Sequence, residues 1–252
     1  MRLFLLSSLF IAAFVVVLLR TNTTLSSLPS ISPTTPTPSP TPVPPQNSVG
    51  VQSYRVSWID WDPSSISLIP NFTQQRTARS FVDASECTNL VSAGFYTKDH
   101  QPTGLFIADG KTLMENIPNT FLNWYFVIDR NNIASIRQSP PEEAVRVAVQ
   151  TGPILIRDKE PLDLSIRNDE FARRMSVGVT SRGYAVFLAL YDQENTGSGP
   201  KLADTPAILS RVANRLDLTH VINLDGGSAS AFIRGDLVLQ ELSPVGSFFC
   251  LM

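Results

Sequence analysis

The chain has 252 residues, with 20 basic and 22 acidic side chains and a formal net charge of −2. A balance this near zero excludes the basic footprint of a nucleic-acid binder. Hydrophobic residues make up 43%, enough for an ordinary core, while two cysteines and two histidines form neither a C-x-x-C pair nor a His-rich cluster, so no metal and no cofactor is predicted.

The first element is Leu3 to Leu19, apolar except for Ser7 and Ser8 and flanked by Arg2 and Arg20. Its length is short for a membrane span and slightly long for the apolar part of a signal peptide. Residues 1–20 are therefore read as a signal anchor first and a cleaved signal second. This makes the membrane a partner and places the rest outside the cytoplasm. Residues 21–48 contain 8 Pro and 13 Ser or Thr. Too few apolar groups remain to offset ordering entropy, so this is a disordered, extended linker. Residues 49–252 are one folded domain. Asn22-Thr23-Thr24 and Asn71-Phe72-Thr73 match the N-glycosylation triplet, which matters only in a eukaryotic secretory host. Cys87 and Cys250 fit one disulfide or two separate buried thiols equally well.

Within the domain, Val51–Asp60 alternates as a strand and Ser64–Ile69 suggests its partner. Gln74–Glu86 reads as a helix with Ala78, Phe81, Val82 and Ala84 on one face. Strands follow at Asn89–Tyr96 and Thr103–Ile107, the latter ending in the turn Ala108-Asp109-Gly110. Phe121–Ile128 and Ile133–Ile136 form a hairpin through Asp129-Arg130-Asn131-Asn132. Pro141–Val149 begins like a helix with Pro and two Glu, although its β-branched residues also suit a strand. Ile154–Ile156 is a brief strand. Met175–Thr180 and Tyr184–Leu190 flank Ser181-Arg182-Gly183 as another hairpin. Asp204-Thr205-Pro206 opens a helix with Ile208, Leu209, Val212, Ala213 and Leu216 on its buried face. A strand at Val221–Leu224 and a hairpin through Arg234-Gly235-Asp236 close the pattern. The expected class is α+β, one domain with a mixed β-sheet and a few interspersed helices.

The strand Val221-Ile222-Asn223-Leu224 delivers Asp225 straight into Gly226-Gly227. A carboxylate at the end of an internal strand stands at a sheet rim. Two glycines let the backbone turn and let a ligand approach closely. Their amides, with the Ser228 and Ser230 hydroxyls, suit an anion. From residue types alone a plain hairpin turn explains the same letters. His100 reads as a turn residue and His220 as one near a helix end, so neither is assigned to catalysis. Gly226–Ser230 is not a nucleophile elbow, because no helical pattern follows and no His partner is suggested.

Asn223-Leu224-Asp225-Gly226-Gly227-Ser228-Ala229-Ser230 resembles the N-L-D-G-G-G-S-S signature of the phosphodiester glycosidase family. Ser92-Ala93-Gly94-Phe95-Tyr96 resembles its N-G-G-F-F, followed by Pro102-Thr103-Gly104-Leu105 and Asp109-Gly110. Gln150-Thr151-Gly152-Pro153-Ile154-Leu155 resembles Q-T-G-P-x-L, and Arg174-Met175-Ser176-Val177-Gly178-Val179 resembles R-T-A-I-G-V. The motifs stand in family order over about residues 85–235. Four positions depart: Ser92 for Asn, Ala93 for Gly, Met175 for Thr and Ser228 for the third Gly.

The resemblance implies an exported hydrolase of a sugar-1-phosphodiester or related glycosidic bond, with carbohydrate or sugar-phosphate as partner. Bacterial members are often labelled exopolysaccharide-associated. Asp225 is then the catalytic carboxylate, as nucleophile or as base for water. Arg174 matches phosphate with its guanidinium fork, and Asp192 is a candidate second carboxylate. Asn223, Gly226, Gly227, Ser228, Ser230, Gln150, Thr151, Gly152, Ser92, Gly94 and Phe95 are the expected substrate-binding residues. The rival reading is a non-catalytic carbohydrate-binding or envelope-scaffold domain on the same fold.

Overall fold

The computed structural model describes residues 47–252, so the apolar segment 1–20 and all but the end of the Pro-rich linker lie outside the described residues. The chain first forms β1 (Ser48–Val51), β2 (Tyr54–Trp61), β3 (Ile66–Pro70), the short helix α1 (Ala78–Asp83) and β4 (Asn89–Ser92). Next come β5 (Phe106–Ala108), β6 (Lys111–Met114), β7 (Trp124–Ile128), β8 (Ala134–Arg137), β9 (Val147–Thr151), β10 (Ile154–Arg157) and β11 (Glu160–Pro161). The last part holds β12 (Arg174–Thr180), β13 (Ala185–Asp192), α2 (Thr205–Ala213), β14 (Leu218–Asn223), β15 (Phe232–Arg234), β16 (Leu237–Leu239) and β17 (Ser247–Leu251).

These strands make three sheets. The first has seven strands in the order β1-β2-β13-β12-β14-β10-β11, the second five in the order β16-β15-β4-β17-β3, and the third five in the order β6-β5-β9-β7-β8. The domain is mostly sheet with few helices, within the α+β expectation, but the sheets are not mixed. Every described strand pairing is antiparallel. The crossover through α2 does make β13 and β14 run the same way. However, β12 lies between them and pairs antiparallel with both, so no parallel ladder forms.

Side-chain alternation places the core. On β13, Ala185, Phe187, Ala189 and Tyr191 face the interior shared by all three sheets. Val186, Leu188 and Leu190 face the other way, against Ile208, Leu209 and Val212 of α2. Both faces are buried, which is why the strand reads as an unbroken apolar run. In the shared interior, one phenylalanine from each sheet meets the other two. Phe187 and Phe249 have ring centroids 4.9 Å apart, Phe126 and Phe249 5.4 Å, and Phe126 and Phe187 6.3 Å. On the outer face of the second sheet, Ala78 and Phe81 of α1 pack against Phe248 and Cys250. Cys250 is disulfide-bonded to Cys87, which decides between the two cysteine readings.

Several expectations are corrected. β2 and β3 are not partners: β2 pairs with β1 and β13, and β3 with β17. Pro141–Val149 is not a helix. Val147 and Val149 face the core and Ala148 the outer side, a period of two that sets β9 between β5 and β7. The helix expected over Gln74–Glu86 contracts to Ala78–Asp83, capped by the Thr77 hydroxyl, which accepts from the Ser80 amide. β17 has no counterpart in the sequence reading, because all five of its residues are buried and no polar alternation marks it. Asn71 is 1% exposed. Its amide donates to the carbonyls of Arg76 and Val245 and accepts from the Arg76 N–H, so this triplet is a loop brace, not an accessible glycan acceptor.

The three-ring contact makes a direct prediction. Phe249→Ala is expected to cost about 3–5 kcal/mol of stability, measured by urea denaturation. A loss below about 1 kcal/mol would contradict the view that this ring joins the sheets.

Candidate active site

Ile222 and Leu224 point into the shared core, so Asn223 and Asp225 project from the opposite face of the chain. The ladder continues past the strand, since the Leu224 amide donates to the Met175 carbonyl at 2.8 Å. Asn223 stands across from Ser176 of β12. Arg174 lies two residues before Ser176 and so shares its face. Arg174, Asn223 and Asp225 therefore meet at one rim of the seven-stranded sheet. They line a cavity of about 270 Å³ together with Phe95, Phe121, Ala172, Leu202, Leu224, Gly226 and Gly227. A larger hollow of about 710 Å³ lies at the other end of β12 and β14, around Thr180, Arg182 and His220. It is wide, and its carboxylate, Asp158, is 79% exposed. The smaller cavity is the one holding a half-buried carboxylate, Asp225.

The loop after Asp225 is fixed from behind. The Asp225 amide donates to the Ala93 carbonyl at 3.0 Å, and the Ser92 hydroxyl donates to the Asp225 carbonyl at 3.3 Å. A Cβ on Gly226 would stand 2.7 Å from the Arg173 carbonyl oxygen, and Gly227 has φ of +64°. Both positions thus require glycine, the first for space and the second for conformation. The Gly227 amide donates to that same Arg173 carbonyl at 2.7 Å. The Arg173 side chain, 2% exposed, donates through Nε to Ser230 Oγ at 2.8 Å. Through Nη2 it reaches the carbonyls of Ser230 at 2.6 Å and Gln240 at 2.8 Å, and through Nη1 that of Thr196 at 3.2 Å.

Burial pushes the Asp225 carboxyl up to about 7, and a hydrogen bond from the Gly226 amide pulls weakly the other way. Burial, then the nearby Asp225 charge, raises the Tyr96 phenol. Arg174 donates through Nη2 to Asp169 Oδ1 at 3.1 Å and through Nε to the Pro200 carbonyl at 3.0 Å. Asn223 donates through Nδ2 to the Gly152 carbonyl at 3.0 Å. Its Oδ1 is buried with no partner among the described residues, an acceptor left open beside the carboxylate.

The expected site residues divide into three groups. Asp225, Asn223, Gly226, Gly227, Arg174 and Phe95 line the cavity. A second group stands behind it. Gln150 accepts from the amides of Leu105 and Ile117 and donates to the carbonyls of Ile117 and Leu122. Thr151 donates to the Asn223 carbonyl at 2.6 Å, and Gly152 packs where a Cβ would meet the Phe121 carbonyl at 2.3 Å. Ser92 and Ser230 are fully buried on the backbone, and Gly94 lies against Val149. These residues shape the site without facing its opening. The third group lies apart. Ser228 is exposed and bonds Ser243. The Asp192 carboxylate accepts the amides of Glu194 and Asn195, as a turn aspartate does, and is not in the cavity wall. Sequence reading passed over Arg173, Asp169 and Phe121. Only the adjacency of Arg173 to Arg174 could have drawn attention to the first.

Residues 85–247, well over half of the chain, match the family profile of phosphodiester glycosidases. The chain belongs to the phosphodiester glycosidase family. Among solved structures it is similar in fold to the catalytic domain of zebrafish N-acetylglucosamine-1-phosphodiester alpha-N-acetylglucosaminidase, auto-inhibited by its pro-peptide. The two share 14% identity and a TM-score of 0.59, over 81% of this chain and 80% of that one. A hypothetical protein from Synechocystis has 15% identity and a TM-score of 0.52, over 81% of this chain and 60% of that one. No curated protein matches the chain. Family membership supports a hydrolase of this kind and implies a sugar phosphodiester as substrate.

The raised Asp225 carboxyl predicts a pH dependence of stability. In the unfolded chain it titrates near its ordinary 3.8, and in the native state near 7. Between these values the native protein holds a proton that the unfolded chain releases, so stability falls as pH rises. Urea midpoints of the wild type, measured relative to Asp225→Asn, are expected to drop between about pH 4 and pH 7. Parallel curves for the two proteins would contradict this.

Proposed function

We propose that the domain hydrolyses a sugar-1-phosphodiester at Asp225. The observation that carries the reading is the half-buried Asp225 carboxylate, its pKa raised by burial, in a cavity with Arg174, two glycine backbones and the open acceptor of Asn223. In such a diester the bond between the anomeric carbon and oxygen breaks, and its electron pair leaves with the phosphate. A phosphate monoester is a weak base, so it departs without a strong general acid. The oxocarbenium-like carbon needs a carboxylate close by. Asp225 supplies it, either by bonding to the carbon or by taking a proton from water, and water completes the sugar. Asn223 Oδ1 accepts from a sugar hydroxyl. The Gly226 and Gly227 backbone allows the substrate to lie close.

Two of the departures from the family motifs lie outside the cavity lining. Met175 is wholly buried and faces the core, away from the cavity. Ser92 still reaches the Asp225 backbone.

Assay of N-acetylglucosamine 1-phosphodiesters tests the proposal. Asp225→Ala is expected to lose about 10³-fold in kcat/KM. The wild-type rate should rise with pH through about 7, as the carboxylate becomes free. An Asp225→Ala rate equal to wild type would refute the site. Glycan binding without turnover of any diester would favour the scaffold alternative.

We also propose that the domain works outside the cytoplasm, held at a membrane by residues 1–20. The Cys87–Cys250 disulfide supports an oxidising compartment, and the apolar Leu3–Leu19 segment supports export. Cell fractionation is expected to recover the protein with membranes, shielded from cytoplasmic thiol reagents. Recovery in the cytosol with both thiols free would reject this.

A further inference from the structure

Three loops beside the Asp225 cavity each hold a large apolar side chain out in water. Phe121 is exposed and is itself part of the cavity lining. Phe171, 62% exposed, adjoins the lining residue Ala172 in the chain. Leu242, 75% exposed, belongs to the loop after β16. The amides of Leu242 and Ser243 donate to the Ser228 carbonyl at 2.8 and 3.0 Å, and Ser228 follows the lining residue Gly227. The loop after β13 connects Leu242 with the Phe171 segment. A Cβ on Gly197 would stand 3.9 Å from Leu242 Cδ1, and one on Gly199 would stand 2.6 Å from the Ala172 carbonyl oxygen. The three apolar side chains are thus grouped about one opening rather than scattered singly.

The backbone beneath each of them is fixed. The Asn119 side-chain oxygen accepts the amides of Phe121 and Leu122, both at 2.8 Å. The Asp169 carboxylate accepts the amides of Leu202 at 2.9 Å and Ala203 at 2.8 Å, which pins the segment that leads into Phe171. The Ser228 carbonyl holds Leu242. Grouped apolar side chains displayed from a fixed backbone mark an interaction surface. Three features select a lipid bilayer as its partner. The Lys201 ammonium lies 5.3 Å from the centre of the Phe171 ring. A ring beside a cation suits the headgroup level, where the ring enters the acyl boundary and the ammonium reaches phosphate. The loops before β12 and after β13 carry Arg167 and Lys201 beside Asp163, Glu170 and Glu194, so no field of one sign selects a charged partner. Finally, the sequence ties the domain to the apolar Leu3–Leu19 segment through residues 21–46, which at about 3 Å per residue reach no farther than roughly 80 Å. Such a tether makes the contact intramolecular, so a few apolar side chains suffice.

We infer that Phe121, Phe171 and Leu242 form a membrane-docking face, which seats these loops in the headgroup–acyl boundary of a phospholipid bilayer and opens the Asp225 cavity at that surface. The inference goes beyond the hydrolase reading and rests on the proposed anchoring by residues 1–20. The contact is apolar, so a zwitterionic bilayer suffices and added salt does not weaken it. Tyr184 is the matched control. It is exposed, and it follows the hairpin turn at the far end of β12 from Arg174.

The full chain reconstituted in phosphatidylcholine vesicles tests it, with one tryptophan added at a time by Phe171→Trp, Leu242→Trp or Tyr184→Trp. The native tryptophans are common to all variants, so their emission is subtracted with that of the wild type. Lipid brominated on its acyl chains is expected to quench the added emission at 171 and 242 but not at 184, to the same extent in low and high salt. Phe121→Glu together with Phe171→Glu, placed in the Leu242→Trp chain, is expected to abolish the quenching. No quenching at 171 and 242, or equal quenching at all three positions, would overturn the face. If the full chain does not float with the vesicles, the anchoring reading fails, and vesicles added to the free chain decide the face alone. Quenching confined to 171 and 242 then upholds it, and its absence overturns it.

Discussion

The guanidinium of Arg173 sits in the interior without a carboxylate bonded to it. Its partners are the Ser230 hydroxyl and the carbonyls of Ser230, Gln240 and Thr196. Burial lowers its pKa, and the more distant Glu241 opposes that shift. A buried cation is costly unless its hydrogens are satisfied, and here four hydrogen bonds to three loops hold it. The loop after β13, the loop after Asp225 and the loop after β16 converge on this one side chain. The Arg173 carbonyl also accepts the Gly227 amide, so one residue fixes the glycine loop through both side chain and backbone. Everything proposed for Asp225 depends on that loop holding its shape.

The carboxylate is tuned by the same arrangement. Antiparallel pairing of β12 with β14 puts Ser176 opposite Asn223, and alternation then sends Leu224 inward and Asp225 to the rim. The carboxylate ends where protein atoms replace most of its water, and its pKa rises to about 7. Such a group is neither permanently charged nor permanently neutral near neutrality, which suits a base or nucleophile. Arg174 lies in the same wall, but Asp169 holds it.

Much of this was readable in the chain because backbone demands leave marks. The apolar strand running straight into two glycines drew attention to Asp225, but those letters also fit a plain turn, and the order of the family motifs is what assigned it; both glycines are required by the geometry that results. Asn223 came with the same family motif. The roles of Gln150, Thr151, Ser92 and Ser230 could not be read so directly. A polar residue at a strand end bonds either a ligand or a neighbouring backbone, and the letters do not distinguish these cases. Here all four bond backbone. The two adjacent arginines show the same limit, since only the pairing of β12 turns Arg174 to the cavity and leaves Arg173 inside. Asp192 was a plausible second carboxylate by position, yet the amides of Glu194 and Asn195 occupy it. β17 escaped notice because a strand buried on both faces carries no alternation, and the Pro-Glu-Glu start ahead of β9 imitated a helix.

The most direct measurement is a crystal structure of Asp225→Asn with an uncleaved N-acetylglucosamine 1-phosphodiester. The account predicts the anomeric carbon in contact with residue 225, a sugar hydroxyl on Asn223 Oδ1, and the phosphate turned toward Arg174. Density for the diester in the hollow beside His220, or a sugar with its anomeric carbon out of reach of residue 225, would contradict it.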